Sequence, residues 1–202
     1  MMADFGANHA AHSILSHLQA NFSSASRLYD LSIDGIQEAI PAGQTSLGFG
    51  PGQTFMVEAW CGAESLHTTS QWDLLVVSTN AHLDLASLLG KACQLHTALA
   101  DGTRATRSGL IRQAALLGSE GGLARYRLRV VDWTWMLGQS IASRVWQDKA
   151  LLDIVGSIFT RYAPQAAWRV SEEVGPFLAQ AHQGGARSYC VQYRQTDLAF
   201  VQ

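Results

Sequence analysis

Apolar and polar residues alternate with a period of two from Arg27 onward. Tyr29, Leu31 and Ile33 are separated by polar or charged neighbours, which predicts a half-buried strand. Phe55, Val57, Ala59 and Cys61 repeat the alternation, and Trp72 to Val77 is a short apolar run suited to a more buried strand. Cys93 to Ala100 and Thr103 to Leu117 are two further predicted strands, joined at the tight-turn pair Asp101-Gly102. Gly118-Ser119-Glu120-Gly121-Gly122 then turns the chain into a last strand. There Ala124, Tyr126, Leu128 and Val130 face one way, with Arg125, Arg127 and Arg129 on the other. Leu83 to Leu89 reads as one or two helical turns stopped by Gly90. Short strands with tight turns across residues 27–131 predict an antiparallel barrel or sandwich.

The period differs on either side of this region. In residues 1–25, Ile14, Leu15, Leu18 and Phe22 recur at helical spacing, as in a short N-terminal helix. Residues 35–54 carry Pro41, Gly43, Gly48, Gly50, Pro51 and Gly52, so that stretch reads as a loop. After Asp132 the pattern becomes helical, beginning with an apolar knot of Trp133, Trp135, Met136 and Leu137. Asp148 is placed to cap a helix whose Leu151, Leu152, Val155, Ile158, Phe159 and Tyr162 fall on one stripe, with Pro164 just beyond its end. Residues 165–187 read as irregular, interrupted by Pro176 and Gly184-Gly185. A strand over Ser188 to Tyr193 follows, and Thr196-Asp197 opens another helix. That helix is cut at Gln202, so a fragment of a longer protein is expected. The division is an extension over 1–25, a first β-barrel over 26–135 and a helical connection toward a second barrel over 136–202, mainly β within the α+β class.

Composition narrows the function classes. Hydrophobic residues make up 48% and charged residues 15% of 202 residues, ordinary globular usage. A net charge of -2 supplies no field to gather nucleic acid or anionic lipid, so neither is expected as a partner. Cys61, Cys93 and Cys190 are too widely spaced for a zinc site or a disulfide framework. No basic leader precedes an apolar core, and no run approaches the ~20 apolar residues of a membrane span, so synthesis and folding in the cytoplasm are expected. Apart from Asp4, no carboxylate or cysteine joins His9, His12 and His17 at helical spacing to complete a ligand set.

Motifs for chemistry are incomplete along the chain. The glycines from Gly48 to Thr54 lack the lysine of a phosphate loop, and Gly90-Lys91 is followed by Ala92. Gly138-Gln139-Ser140 lacks the second glycine of a hydrolase elbow. Glu172 and Glu173 are adjacent and point apart if extended, unlike a glycosidase pair. The arginine row on the last strand reads as charge pairing across to neighbouring strands. No catalytic, cofactor-binding or metal residue is assigned.

One segment carries a resemblance. Ser188 to Phe200 (SYCVQYRQTDLAF) resembles the tyrosine-cysteine-valine-glutamine-tyrosine-arginine motif of VgrG-type spike proteins of the type VI secretion system. Phe55 to Leu66, Leu83 to Lys91, Gly118 to Trp135 and Ser143 to Tyr162 are similar to the same family, in the same order, over about residues 26–202. Leu66 to Trp72 departs from the family pattern, and the loop of 35–54 is longer than usual. The resemblance implies a phage tail-hub-like antiparallel β-barrel, then helix, then the start of a second barrel region. It implies a structural protein and not an enzyme, without cofactor. It also implies a homotrimer in the full-length form, docked on a hexameric secreted tube among baseplate components. A spike-tip protein and effectors or adaptors complete the expected partners, with no stable membrane association. Assembly is expected in the bacterial cytoplasm, followed by delivery into a target cell. The alternatives are the tail hub of a contractile phage or phage-derived injection particle, and a hydrolytic effector.

Overall fold

In the structure, a computed structural model, residues 28–36, 55–181 and 186–202 are described. The helix and histidines expected in residues 1–25, most of the loop of 35–54 and the Gly184-Gly185 pair lie outside them. The described chain divides into two units, one within Met1–Ala63 and Ser70–Val131, the other Glu64–Thr69 with Asp132–Gln202.

The first unit is one antiparallel sheet. Its strands are β1 (Tyr29–Ile33), β2 (Met56–Ala63), β3 (Gln71–Ser78), β4 (Ala92–Ala98), β5 (Arg104–Glu120) and β6 (Leu123–Val131). They lie in the order β1-β4-β5-β6-β3-β2. The sheet curls enough to bring its two edge strands together: the rings of Tyr29 on β1 and Trp60 on β2 meet edge-on, with centroids 6.5 Å apart. Among the described residues no ladder joins those edges, so the barrel read from the sequence is a curled half-barrel. Its concave side is filled from alternate positions, as a period of two requires. Tyr126, Leu128, Leu74, Val76 and Ile111 are buried, and the Arg125, Arg127 and Arg129 side of β6 faces out.

Two local expectations change. The alternation through Phe55, Val57, Ala59 and Cys61 holds only as far as Val57. A bulge between Val57 and Ala59 adds one residue and reverses the phase. Trp60 therefore packs on the core, and Ala59 and Cys61 are exposed. Likewise the turn read over residues 118–122 is only Gly121-Gly122, with φ of 60° and 81°, and β5 continues through Glu120. Positive φ at both central positions of a two-residue hairpin is what glycine supplies.

A third glycine is required for space. A Cβ on Gly109 would stand 2.6 Å from the Val130 side chain and 2.6 Å from the Val131 carbonyl oxygen. Gly109→Ala is expected to cost about 1–3 kcal/mol by overpacking, read as a lowered denaturant midpoint with unchanged slope. A midpoint equal to that of the parent chain would contradict this close approach. Cys93, on β4, is buried, and burial, helped by the charge of Asp34, pushes its thiol up to about 12. It behaves as a small apolar side chain.

The second unit departs further from the sequence reading. Ile141–Ala150 is not helical but forms strand β7, antiparallel to β8 (Ala186–Thr196). Asp148 therefore caps nothing: it lies within β7 with φ +51°. Helix α1 (Leu151–Phe159) starts from Ala150 with no side-chain cap. Its stripe packs as expected at Ile158 and Phe159, and Ile154 is buried with them. The stretch read as irregular contains helix α2 (Val174–Ala181). Pro176 stands in its first turn, where a missing N–H costs no helical hydrogen bond. Helix α3 (Asp197–Val201) opens where expected, with the Thr196 hydroxyl accepting from the Ala199 amide at 3.1 Å. The core of this unit gathers Leu137, Ile158 and Phe159. Around them Trp133 and Trp168 stand edge-on to Phe159, and Trp146 stacks on Phe200 at 5.3 Å.

Candidate functional site

Several features singled out from the sequence take structural roles. Arg125 meets Glu58 through two hydrogen bonds of 2.8 and 2.9 Å, and Arg129 meets the directly opposed Asp73 at 2.9 Å. Two of the three arginines in the row thus pair across strands, in partly exposed ion pairs worth little to stability. Gly90 takes a left-handed turn after the 3-10 segment Leu85–Leu88. Cys61 is exposed on β2, and Glu172 and Glu173 are exposed ahead of α2. Among the described residues no group of three or more His, Cys, Asp or Glu is placed to hold a metal ion.

Among the described residues, the most concentrated polar arrangement lies under the ribbon of β7 and β8. Gln192 and Asp197 belong to the segment that carries the family resemblance, and both are completely buried. Arg144 on β7 donates from Nη1 to Asp197 Oδ1 at 2.7 Å and from Nη2 to Oδ2 at 3.2 Å. Nη1 also reaches Gln192 Oε1 at 2.9 Å. The Gln192 amide donates onward to Asp197 Oδ1 at 2.7 Å and to the Gln195 carbonyl at 3.1 Å. Tyr162 donates its hydroxyl proton to Asp197 Oδ2 at 2.6 Å, so Ser140, 3.1 Å away, is left to donate to Tyr162.

Electrostatics explains why a carboxylate tolerates this place. Burial alone would raise the pKa of Asp197. The hydrogen bonds from Arg144, Gln192 and Tyr162, with the charge of Arg144, outweigh it and hold the carboxyl below its ordinary range. The Tyr162 phenol is pushed up, by burial first and then by its bond to Asp197. Asp197 is ionised at neutral pH, and both its oxygens are engaged. A carboxylate so saturated has no lone pair left for a further donor, so the arrangement holds structure: it ties β7, β8, α3 and the 3-10 turn Thr160–Tyr162 after α1 to one point.

Nothing in the local sequence marks this network. Arg144 and Asp197 are 53 residues apart, and Asp197 reads only as a helix opener. The opposite face of the ribbon is bare. Ile141 is 72%, Tyr189 59%, Val145 53% and Tyr193 66% exposed.

Comparison with known proteins places this arrangement. The Pseudomonas aeruginosa type VI secretion system spike protein VgrG1b is 28% identical over 140 residues, which is 69% of this chain and 18% of the relative. VgrG1a of the same organism is 25% identical over 158 residues, 78% of this chain and 23% of the relative. The chain thus spans about a fifth of the length of these curated relatives, whose names match the resemblance carried by its five ordered segments. Among solved structures, the Escherichia coli c3393 protein aligns with a TM-score of 0.53 at 20% identity, covering 85% of this chain and 41% of that one. It is described as a type VI secretion component with structural similarity to the T4 bacteriophage tail proteins gp27 and gp5, and at that identity the likeness bears on fold alone. The model of the phage tail baseplate hub (GPD) family matches residues 63–202, from the end of β2 through the ribbon and its network, and the chain belongs to that family.

Proposed function

We propose that this chain is part of a type VI secretion spike, a structural hub component without catalysis of its own. The observation that carries the reading is the family match over residues 63–202, joined to relatives named as spike proteins. The buried carboxylate supports it, because the most elaborate polar arrangement described is saturated by its own chain. In this reading residues 26–135 are the first hub barrel and residues 136–202 lead toward a second. The full-length protein is a homotrimer that docks on a hexameric secreted tube, meets baseplate components and carries a tip protein and effectors or adaptors. It assembles in the bacterial cytoplasm and then leaves by the secretion system; among the described residues no helix is long and apolar enough to cross a membrane. The tail hub of a contractile phage is the second reading, favoured by the family description itself.

Assembly provides the test. A stable specific interface buries at least ~1,000 Å², and one curled sheet with a short ribbon offers little of that to each neighbour. Residues 1–202 are expected to be monomeric or weakly associating at micromolar concentration in light scattering, and the full-length protein a stable trimer. A monomeric full-length protein would overturn the hub reading. A tight trimer from residues 1–202 would place the trimer contacts in this region.

A further inference from the structure

We propose that the outward face of the β7–β8 ribbon is a docking surface for an extended partner polypeptide that presents apolar side chains and, beyond them, a carboxylate. The inference rests on the geometry of the ribbon and not on the hub reading. Strand register sorts the ribbon into two faces. Arg144 opposite Gln192 points into the buried network, so the pairs Val145–Val191, Gln147–Tyr189 and Lys149–Arg187 point the other way. Tyr193 continues that outer row along β8.

Two features of the outer face are unbalanced. The first is apolar exposure: Val145, Val191, Tyr189 and Tyr193 are all between 43% and 66% exposed. Valine and tyrosine side by side on a pleated surface form the kind of patch that aromatic-rich interfaces cover. A two-stranded ribbon is also marginal by itself and gains from a covering layer. The second is charge. Lys149 and Arg187 are directly opposed across the strands, and like charges in that position repel. Neither has an acidic partner among the described residues. Asp148, between Gln147 and Lys149, forms an ion pair with neither Lys149 nor Arg187 among the described residues.

The two imbalances share one face and one line, which specifies the occupant. Side chains two residues apart on an extended segment point the same way. A strand with apolar residues at alternate positions and an aspartate or glutamate two further on would cover the valines and tyrosines and place its carboxylate between Lys149 and Arg187. An anionic membrane is the competing surface. Polybasic membrane binding draws on clusters of about 4–8 cations, whereas this face has Lys149 and Arg187, with Arg194 lying over the Tyr193 ring at 5.4 Å.

The test is a titration of the 15N-labelled chain, followed by amide shifts in NMR. The probe is a synthetic octapeptide of alternating serine and valine ending in aspartate, and its control ends in lysine. The expected result is shifts clustered on Gln147, Lys149, Tyr189, Val191 and Tyr193 with the aspartate peptide, at a Kd of about 1 mM or tighter. Lys149→Glu and Arg187→Glu should each weaken that peptide about tenfold, a loss of ~1.4 kcal/mol, and strengthen the lysine peptide. Both residues are exposed, so folding should survive. Lys149→Glu should even raise the melting temperature by replacing an opposed like pair with an opposite one. Equal binding of both peptides, shifts scattered over the chain or no binding would overturn the proposal. So would binding to phosphatidylcholine–phosphatidylserine vesicles in place of the aspartate peptide.

Discussion

Arg144→Ala is expected to destabilise the second unit by about 3–5 kcal/mol, the cost of leaving a buried charge without its partner. The carboxylate left behind, Asp197, is completely buried. Gln192 and Tyr162 still donate to it, but the two guanidinium bonds and the neutralising charge are gone. The same geometry sets the pH dependence. The folded-state pKa of Asp197 lies below its ordinary value, so the unfolded chain binds its proton first as pH falls. The stabilisation is therefore complete above the ordinary carboxylate range and is lost as pH falls through that range toward the lowered folded pKa. Urea denaturation of the parent chain and of Arg144→Ala, at neutral and at acidic pH, separates these effects. The difference between the two should be large at neutral pH and shrink in acid. A variant within experimental error of the parent at neutral pH would show that the network is not holding the ribbon to α3 and the turn after α1.

Tyr126→Asp should be as damaging to the first unit, again about 3–5 kcal/mol, because it buries an unpaired charge. Tyr126 is 1% exposed, packs edge-on against Phe55 and donates its hydroxyl proton to the Asn80 carbonyl at 2.7 Å. Its neighbour Arg127 is exposed on the opposite face, so Arg127→Ala should cost under ~0.5 kcal/mol. The two residues are adjacent in sequence, and only the strand period distinguishes them. Equal losses in chemical denaturation would contradict the facing of β6. The pair also tests register, since a slip of one residue would exchange their fates.

Much of the first unit could be read along the chain. Where one face of a strand is buried and the other is wet, the alternation is itself the consequence of the fold, as on β6 and β1. The Asp101-Gly102 and Gly121-Gly122 turns are legible for a related reason: backbone at positive φ selects its residues locally. The phase change in β2 was not legible, because the bulge that turns Trp60 inward exists only in the pairing of β2 with β3. Nor was the end of β5, since glycine and serine beyond Leu117 mark a turn unless β6 is there to pair with them.

β7 is the clearest loss. Its inward positions are Ala142, Arg144 and Trp146, with an arginine where the pattern of a strand requires an apolar residue. Arg144 is tolerated there because Asp197 and Gln192 arrive from β8 and α3 to satisfy it. No window around residue 144 contains that information, and a helix-like reading beginning at Asp148 took its place. The same holds for Asp197, which locally is a good first residue for α3 and only in three dimensions is the acceptor of a buried network. By itself the sequence determined the elements whose burial pattern repeats at short range: the half-barrel strands, their tight turns, the apolar stripe of α1 and the family motif in β8. Tertiary structure alone decided the bulges, the second ribbon and its buried ion pair, because each depends on a partner brought close only by folding.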